Sequence, residues 1–159
     1  MPREGRWEVH DGTASEIEMT DFLYGLVRML KPKLIVETGT YRGHAAMSMA
    51  EACLENSFGK VVSCDIENHN VFNPLPDLCD LRICSSLDLP ELRTADLVYS
   101  DSLVPLRPKE YELVKPGCVF VVHDTNNADD WTTKLKDWVR AHGGLTFSAG
   151  RGFGILVKP

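Results

Sequence analysis

Carboxylate side chains follow four of the apolar segments of this sequence, at positions where they could bind a ligand or take a proton. The first, second, fourth and fifth predicted strands end in Glu37, Asp65, Asp101 and His123-Asp124, and the third ends in Ser85-Ser86. In open α/β sheets, ligands lie beyond the carboxyl ends of the strands. We therefore expect these side chains to share one ligand site, the alternative being that tight turns favour aspartate.

The glycine loop after the first strand limits which ligand this site could take. Its pattern is Glu37-x-Gly39-x-x-x-Gly43, followed by a helical segment. Glycine lets a ligand approach the backbone closely, but a dinucleotide site uses G-x-G-x-x-G. A carboxylate at the strand end would repel a pyrophosphate and suit an ammonium or sulfonium group. The loop therefore favours S-adenosylmethionine over NAD, and the missing G-K-[ST] excludes a Walker loop.

Asp65 and the segment after the third strand predict the remaining contacts of such a cofactor. An acid that ends the second strand after a glycine loop is placed to accept the ribose hydroxyls. NAD carries the same ribose, so Asp65 alone does not separate the two ligands, and a capping aspartate is the simpler alternative. Ser86 and Leu87 would contact the adenine ring through a hydroxyl and an apolar side chain.

Strands and helices alternate along the chain. Residues 1–12 form an irregular lead-in, and a helix over 13–30 begins at a Thr13 or Ser15 cap and ends at Pro32. The predicted strands cover 33–37, 60–65, 81–84, 95–101, 118–123, 144–148 and 154–157. The predicted helices cover 43–55, 86–93, 107–114 and 128–142, with Asn126 to Asp130 as cap and acidic first turn. This alternation predicts an α/β fold with a mostly parallel sheet between helices, and residues 66–80, with Pro74 and Pro76, form a loop.

The last two strands are separated by five residues, from Ala149 to Phe153. So short a connection cannot hold a parallel crossover, which requires a dozen or more residues. The sequence therefore predicts that this pair is antiparallel.

Composition indicates one domain over residues 1–159 and limits its partners. The chain is 43% hydrophobic and 25% charged, which is ordinary for a globular protein. Its net charge of −6 argues against a nucleic-acid partner. We find no apolar run long enough to span a membrane and no secretion signal. The five cysteines form no C-x-x-C pair, so we expect reduced core residues in a cytoplasmic protein.

These motifs resemble those of class I S-adenosylmethionine-dependent methyltransferases, in particular the small O-methyltransferase group. Val36–Gly43 is similar to that group's first motif, Val-Glu-Thr-Gly-Thr-Tyr-x-Gly. The weaker matches are Lys60–Ile66, Cys84–Leu92, Asp96–Asp101, Leu113–Asp124 and Arg151–Leu156. The resemblance implies a Rossmann-like methyltransferase sandwich, with a seven-stranded sheet of order 3-2-1-4-5-7-6, an antiparallel strand seven and helices on both faces.

The resemblance also implies roles for individual residues. The expected cofactor contacts are Glu37, Thr38, Gly39, Thr40, Tyr41, Gly43, Asp65, Ile66, Ser85, Ser86, Leu87 and Asp101. In the metal-dependent branch, Asp101 and Asp124 match two magnesium ligands, but Thr125 stands where the third, an asparagine, is expected, and Asn126 follows it.

The predicted reaction is methylation of a small-molecule or sugar hydroxyl, with Asp101 or His123 as the catalytic base. A turn histidine bonded to the backbone is the alternative for His123. Two other functions stay open: a non-catalytic protein that binds S-adenosylmethionine or S-adenosylhomocysteine, and an NAD-dependent oxidoreductase. The short chain leaves little sequence for a lid, so the acceptor pocket would be open or completed by residues 1–14 or by a second subunit of a homo-oligomer.

Overall fold

A computed structural model describes residues 14–72, 77–127 and 129–159 of the chain. The predicted lead-in, the Thr13 cap and the two prolines of the 66–80 loop lie outside these residues. The described parts of that loop contain no helix.

Seven strands form one sheet in the order β3-β2-β1-β4-β5-β7-β6. They are β1 (Leu34–Thr38), β2 (Lys60–Asp65), β3 (Cys79–Ile83), β4 (Leu97–Ser100), β5 (Val119–His123), β6 (Leu145–Phe147) and β7 (Phe153–Val157). The first five strands pair in parallel. Strand β7 is antiparallel to both β5 and β6, so the predicted order and the predicted reversal are confirmed.

In the described parts of the chain, four α-helices flank the sheet: α1 (Ile17–Leu30), α2 (His44–Asn56), α3 (Arg107–Leu113) and α4 (Asp130–Ala141). Asp129 caps α4 by accepting hydrogen bonds from the backbone of Trp131 and Thr132, as the acidic segment predicted. Helix α1 differs from its prediction, because Ser15 makes no cap and its hydroxyl contacts Tyr99 instead. Among the described residues, no helix has the length and apolar character needed to cross a membrane.

The core has two layers, one on each face of the sheet. On one face, Met19 and Leu23 of α1 and Met49 of α2 pack with Ile35 of β1. On the other face, Tyr111 and Val139 of α3 and α4 pack with Val36, the next residue of β1. Successive strand residues point to opposite faces, so β1 is apolar on both sides. Its nearly continuous apolar sequence follows from this double burial.

The predicted helix over 86–93 is wrong in type. The chain instead forms two short 3₁₀ helices, Ser86–Asp88 and Pro90–Arg93. Pro90 has no backbone N–H, and its ring excludes it from the interior of a continuous helix. All five cysteines are free, and all but Cys84 are buried, as expected for reduced core residues.

Candidate functional site

A cavity of about 420 Å³ opens at the carboxyl ends of the parallel strands. This volume lies within the usual range for small-molecule sites. The predicted contacts that line it are Glu37, Gly39, Thr40, Tyr41, Gly43, Asp65, Ile66, Ser85, Ser86 and Asp101. The structure therefore brings together nearly all of the residues predicted to contact the cofactor, although they come from four separate parts of the chain.

Two predicted contacts, Thr38 and Leu87, do not line the cavity. Thr38 is fully buried, and its hydroxyl donates to Glu110 Oε2 at 2.9 Å. Glu110 also accepts hydrogen bonds from Ser100 and Ser102 at 2.5 and 2.6 Å. The side chain of Thr38 thus belongs to a buried polar cluster that holds the ends of β1 and β4 together, and not to the lining of the cavity.

The glycine loop follows β1 and passes directly over β4. Gly39 has φ = +86°, and a Cβ atom built there would lie 2.4 Å from the carbonyl oxygen of Asp101. Only glycine permits both this backbone angle and this approach. The amide of Tyr41, in turn, donates to Asp65 Oδ2 at 2.8 Å. The loop is therefore fixed between the ends of β2 and β4.

Glu37 lines the cavity, although its side chain is only 1% exposed. Its carboxylate accepts a hydrogen bond from Ser63, whose hydroxyl also lies 2.5 Å from that of Thr40. Burial raises the pKa of Glu37 to about 8, and the negative charges of Asp101 and Asp65 add to this effect. A cation bound beside Glu37 would favour the ionised carboxylate, because opposite charges stabilise each other.

Asp65, at the end of β2, and Ser86, after β3, line the same cavity. Asp65 accepts backbone hydrogen bonds from Tyr41 and Ile66, each at 2.8 Å. The carboxylate can accept further bonds, since its two oxygens offer about four lone-pair sites. Ser86 Oγ is buried and has no hydrogen-bond partner among the described residues. A buried hydroxyl without a partner is costly, so a ligand contact at Ser86 would satisfy it.

Six charged side chains form a closed ring of alternating sign beside this cavity, which we call the charge ring. Its contacts are Glu16–His123 at 2.8 Å, His123–Asp101 at 3.2 Å, Asp101–Arg107 at 3.2 Å, Arg107–Asp124 at 3.3 Å, Asp124–Arg151 at 3.4 Å and Arg151–Glu16 at 3.3 Å. Asp101, Arg107, Asp124 and Arg151 also line the cavity. With His123 protonated, three positive charges balance three negative ones.

His123 is 1% exposed and does not line the cavity. Burial alone would lower its pKa, but the charges and hydrogen bonds of Asp101 and Glu16 outweigh burial and raise it to about 9. At neutral pH both ring nitrogens therefore carry hydrogens and donate them to carboxylates. A protonated imidazole cannot take another proton, so this geometry argues against the predicted role of His123 as a general base.

The predicted magnesium ligands lie close together, but their surroundings do not fit a metal ion. The ligand atoms of Asp101, His123 and Asp124 lie within 4.8 Å of one another. Arg107 Nη2, however, contacts both aspartates. Asn126, the nearest substitute for the missing asparagine, is exposed and hydrogen-bonds to Ser148 and Lys136. We therefore derive no chemistry through a metal.

Three members of the charge ring, Glu16, Arg107 and Arg151, were not predicted from the sequence. No motif marks these residues, because Glu16 precedes α1, Arg107 begins α3 and Arg151 lies in a turn. Arg151 could have been anticipated from the implied strand order, which places the seventh strand beside the fifth. In the structure that pair aligns Phe153 with His123, which brings the turn before β7 to the end of β5.

Comparisons with known proteins agree with this fold. Residues 10–74 match the family described as O-methyltransferase, a segment that includes the glycine loop and Asp65. The chain matches no curated protein.

Among solved structures, the chain is similar to the O-methyltransferase TomG from Streptomyces achromogenes in complex with SAM, with 19% identity and a TM-score of 0.69, over 92% of this chain and 82% of that one. It is also similar to the SAH-bound methyltransferase PaMTH1 from Podospora anserina, with 15% identity and a TM-score of 0.69, over 91% of this chain and 80% of that one. The O-methyltransferase from Bacillus cereus in complex with SAH is similar as well, with 20% identity and a TM-score of 0.63, over 96% of this chain and 84% of that one.

The fold is therefore that of the Rossmann-like methyltransferases. The resemblance to class I S-adenosylmethionine-dependent methyltransferases, predicted from the sequence motifs, is confirmed. The family match over residues 10–74 supports a methyltransferase, the solved structures show the fold, and neither comparison supports an NAD-dependent oxidoreductase.

Proposed function

We propose that this protein binds S-adenosylmethionine in the 420 Å³ cavity and transfers its methyl group to a hydroxyl of a small molecule. The observation that carries the proposal is the buried carboxyl group of Glu37 in a cavity that Asp65 and Ser86 also line. Glu37 would face the positively charged methionine end of the cofactor. Asp65 would accept the ribose hydroxyls, and Ser86 would contact the adenine.

Methyl transfer requires that the acceptor oxygen and the sulfonium group be held in line and away from water. The acceptor would lie where Asp101, Leu103 and Arg151 line the cavity. Leu103 is 68% exposed, so it offers an apolar contact for the acceptor at the cavity mouth. Asp101 is the one predicted base that lines the cavity, and it would accept the hydrogen of the acceptor hydroxyl.

The charge on Asp101 favours one kind of acceptor. Burial would raise its pKa, but the positive charges of His123 and Arg107 lower it below the usual value. A carboxylate with a lowered pKa is a weak base. A hydroxyl that ionises readily, such as a phenol with a pKa of about 10, therefore suits this site better than a sugar hydroxyl.

Calorimetric titration tests the cofactor assignment. We expect S-adenosylmethionine to bind and NAD not to bind, and we expect Asp65→Ala to weaken binding at least about tenfold, since lost charged hydrogen bonds cost about 1.5–3 kcal/mol. Asp88→Ala, at an exposed position in a 3₁₀ helix, is the matched control. Binding of NAD alone, or an unchanged affinity in Asp65→Ala, would contradict the proposal.

A panel of phenolic and sugar acceptors then tests catalysis. Formation of S-adenosylhomocysteine that depends on a phenolic acceptor is the expected result. Cofactor binding without turnover on any acceptor would favour a non-catalytic binding protein instead.

A further inference from the structure

Arg107 lies between the two carboxylates that would otherwise be the main ligands of a divalent cation. Its Nη2 atom is 3.2 Å from Asp101 Oδ1 and 3.3 Å from Asp124 Oδ2. A magnesium ion binds carboxylate oxygens at about 2.0–2.1 Å. A cation bridging these same two oxygens would therefore need the space and the lone pairs that the guanidinium group already uses.

The guanidinium group of Arg107 is fixed on its other edges as well. Nε donates to the carbonyl oxygen of Ser102 at 2.7 Å, and Nη1 donates to that of His123. The side chain is 3% exposed. To leave the aspartates, Arg107 would have to break these backbone hydrogen bonds inside the protein, and unsatisfied buried polar groups are costly.

A second arginine adds to the positive charge around Asp124, since Arg151 Nε lies 3.4 Å from Asp124 Oδ1. Arginine does not lose its proton in proteins, so neither guanidinium group can make room for a metal by becoming neutral. A divalent cation would add two positive charges to a charge ring that is already balanced.

We propose that the guanidinium group of Arg107 takes the place of a bridging divalent cation between Asp101 and Asp124, so that the acceptor side of this site works without a metal ion. Arg107 is then a positioning residue: it holds together two carboxylates that follow the neighbouring strands β4 and β5. This proposal concerns the acceptor side of the proposed methyltransferase. Its test by metal binding is independent of that function, whereas its test by methyl transfer rests on it.

The experiment is a titration with Mn²⁺, in which the signal of free Mn²⁺ is followed by electron paramagnetic resonance. We expect no bound Mn²⁺ in the natural protein up to about 1 mM, the weak end of oxygen-ligand cation sites. Arg107→Met removes the charge but keeps an unbranched side chain, and it should create one Mn²⁺ site. Adding Asp101→Asn to Arg107→Met should remove that site again.

Arg82→Met is the matched control, because Arg82 Nη2 also contacts two carboxylates, at 2.7 Å from Asp80 and 2.8 Å from Glu91, on the exposed surface. Arg82→Met should create no comparable site, since Asp80 and Glu91 are 53% and 22% exposed, against 16% and 15% for Asp101 and Asp124. A Mn²⁺ site in the natural protein that Asp101→Asn abolishes would overturn the proposal. A folded Arg107→Met variant that binds no Mn²⁺ would also overturn the proposal.

Circular dichroism of each variant establishes whether it is folded. Should Arg107→Met not fold, the comparison of the natural protein with Asp101→Asn decides the question by itself. Methyl transfer by the natural protein should be unchanged in EDTA, and a loss of transfer in EDTA that Mg²⁺ restores would count against the proposal. Failure of S-adenosylmethionine to bind would refute the proposed function instead, and the Mn²⁺ titration does not depend on that outcome.

Discussion

His123 Nε2 lies 2.8 Å from Glu16 Oε2, and this contact joins the end of β5 to the residue that precedes α1. Both side chains are almost completely buried, at 1% and 2% exposed. The contact therefore ties the first described helix to the centre of the sheet and completes the charge ring on the side away from the cavity.

Replacing Glu16 by glutamine should destabilise the fold. The change keeps the shape of the side chain but leaves His123 and Arg151 without their shared carboxylate. Breaking a buried ion pair on one side costs about 3–5 kcal/mol. Urea unfolding would measure the loss. Glu51→Gln, at an exposed position of α2, should change the free energy of unfolding by less than about 0.5 kcal/mol, and an equal effect of the two variants would contradict this interpretation.

The stability of the protein should fall as pH rises through the titration of His123. Its pKa is about 9 in the folded protein, against an ordinary value of 6.5. Because the folded-state pKa is raised, the stabilisation is fully present below about pH 6.5 and is lost between about 6.5 and 9, amounting to about 3 kcal/mol. The measurement is urea unfolding at several pH values across this window.

His123→Gln separates this effect from that of Glu37. The raised pKa of Glu37 also makes stability fall with rising pH, but between about 4.5 and 8. The variant should therefore keep the lower-pH part of the slope and lose the part near pH 9. If the natural protein and His123→Gln lose stability equally between pH 8 and 9, the charge on His123 does not stabilise the fold.

Binding of S-adenosylmethionine should release a proton from Glu37. With a pKa of about 8, the carboxyl group is mostly protonated at pH 7 when the cavity has no cofactor. A nearby sulfonium or ammonium charge lowers that pKa, so affinity should rise with pH up to about 8 and then level off. Calorimetry at pH 7 in buffers with different ionisation enthalpies measures the proton, and Glu37→Gln should abolish the release. A release of the same size in that variant would assign the proton to another group.

Gly39→Ala should destabilise the fold more than Gly117→Ala. Both glycines have positive φ angles, +86° and +81°. An alanine at either position would therefore have to adopt the left-handed conformation, which costs about 1–2 kcal/mol. A Cβ atom at position 39 would also lie 2.4 Å from the backbone of Asp101, whereas one at position 117 has nothing within 4 Å. Chemical unfolding of both variants measures the difference. Equal losses would mean that the loop can move away from β4.

The fold could largely be predicted from local patterns. The apolar segments, the glycine loop and the short turn before β7 are each encoded in neighbouring residues, and together they imply the parallel sheet and its reversed strand. The 86–93 segment was predicted incorrectly because its apolar spacing suited a helix while Pro90 prevented one. The predicted and observed ends of the strands differ by up to two residues. The start of α1 differs by more, because tertiary contacts of Ser15 and Glu16 replace a cap there.

The gathering of the proposed cofactor contacts in one cavity was also predictable, because Glu37, Gly39 and Asp65 lie in or just after strands whose ends must meet at one edge of a parallel sheet. The charge ring was not. Its members are brought together from five separate places in the chain, and attraction between charges so far apart in sequence leaves no periodic pattern. The sequence by itself determined where a ligand could lie. Only the tertiary structure decided that Arg107 sits between Asp101 and Asp124 and that His123 is buried as a cation, because both depend on distances that exist only once the sheet and its helices have packed.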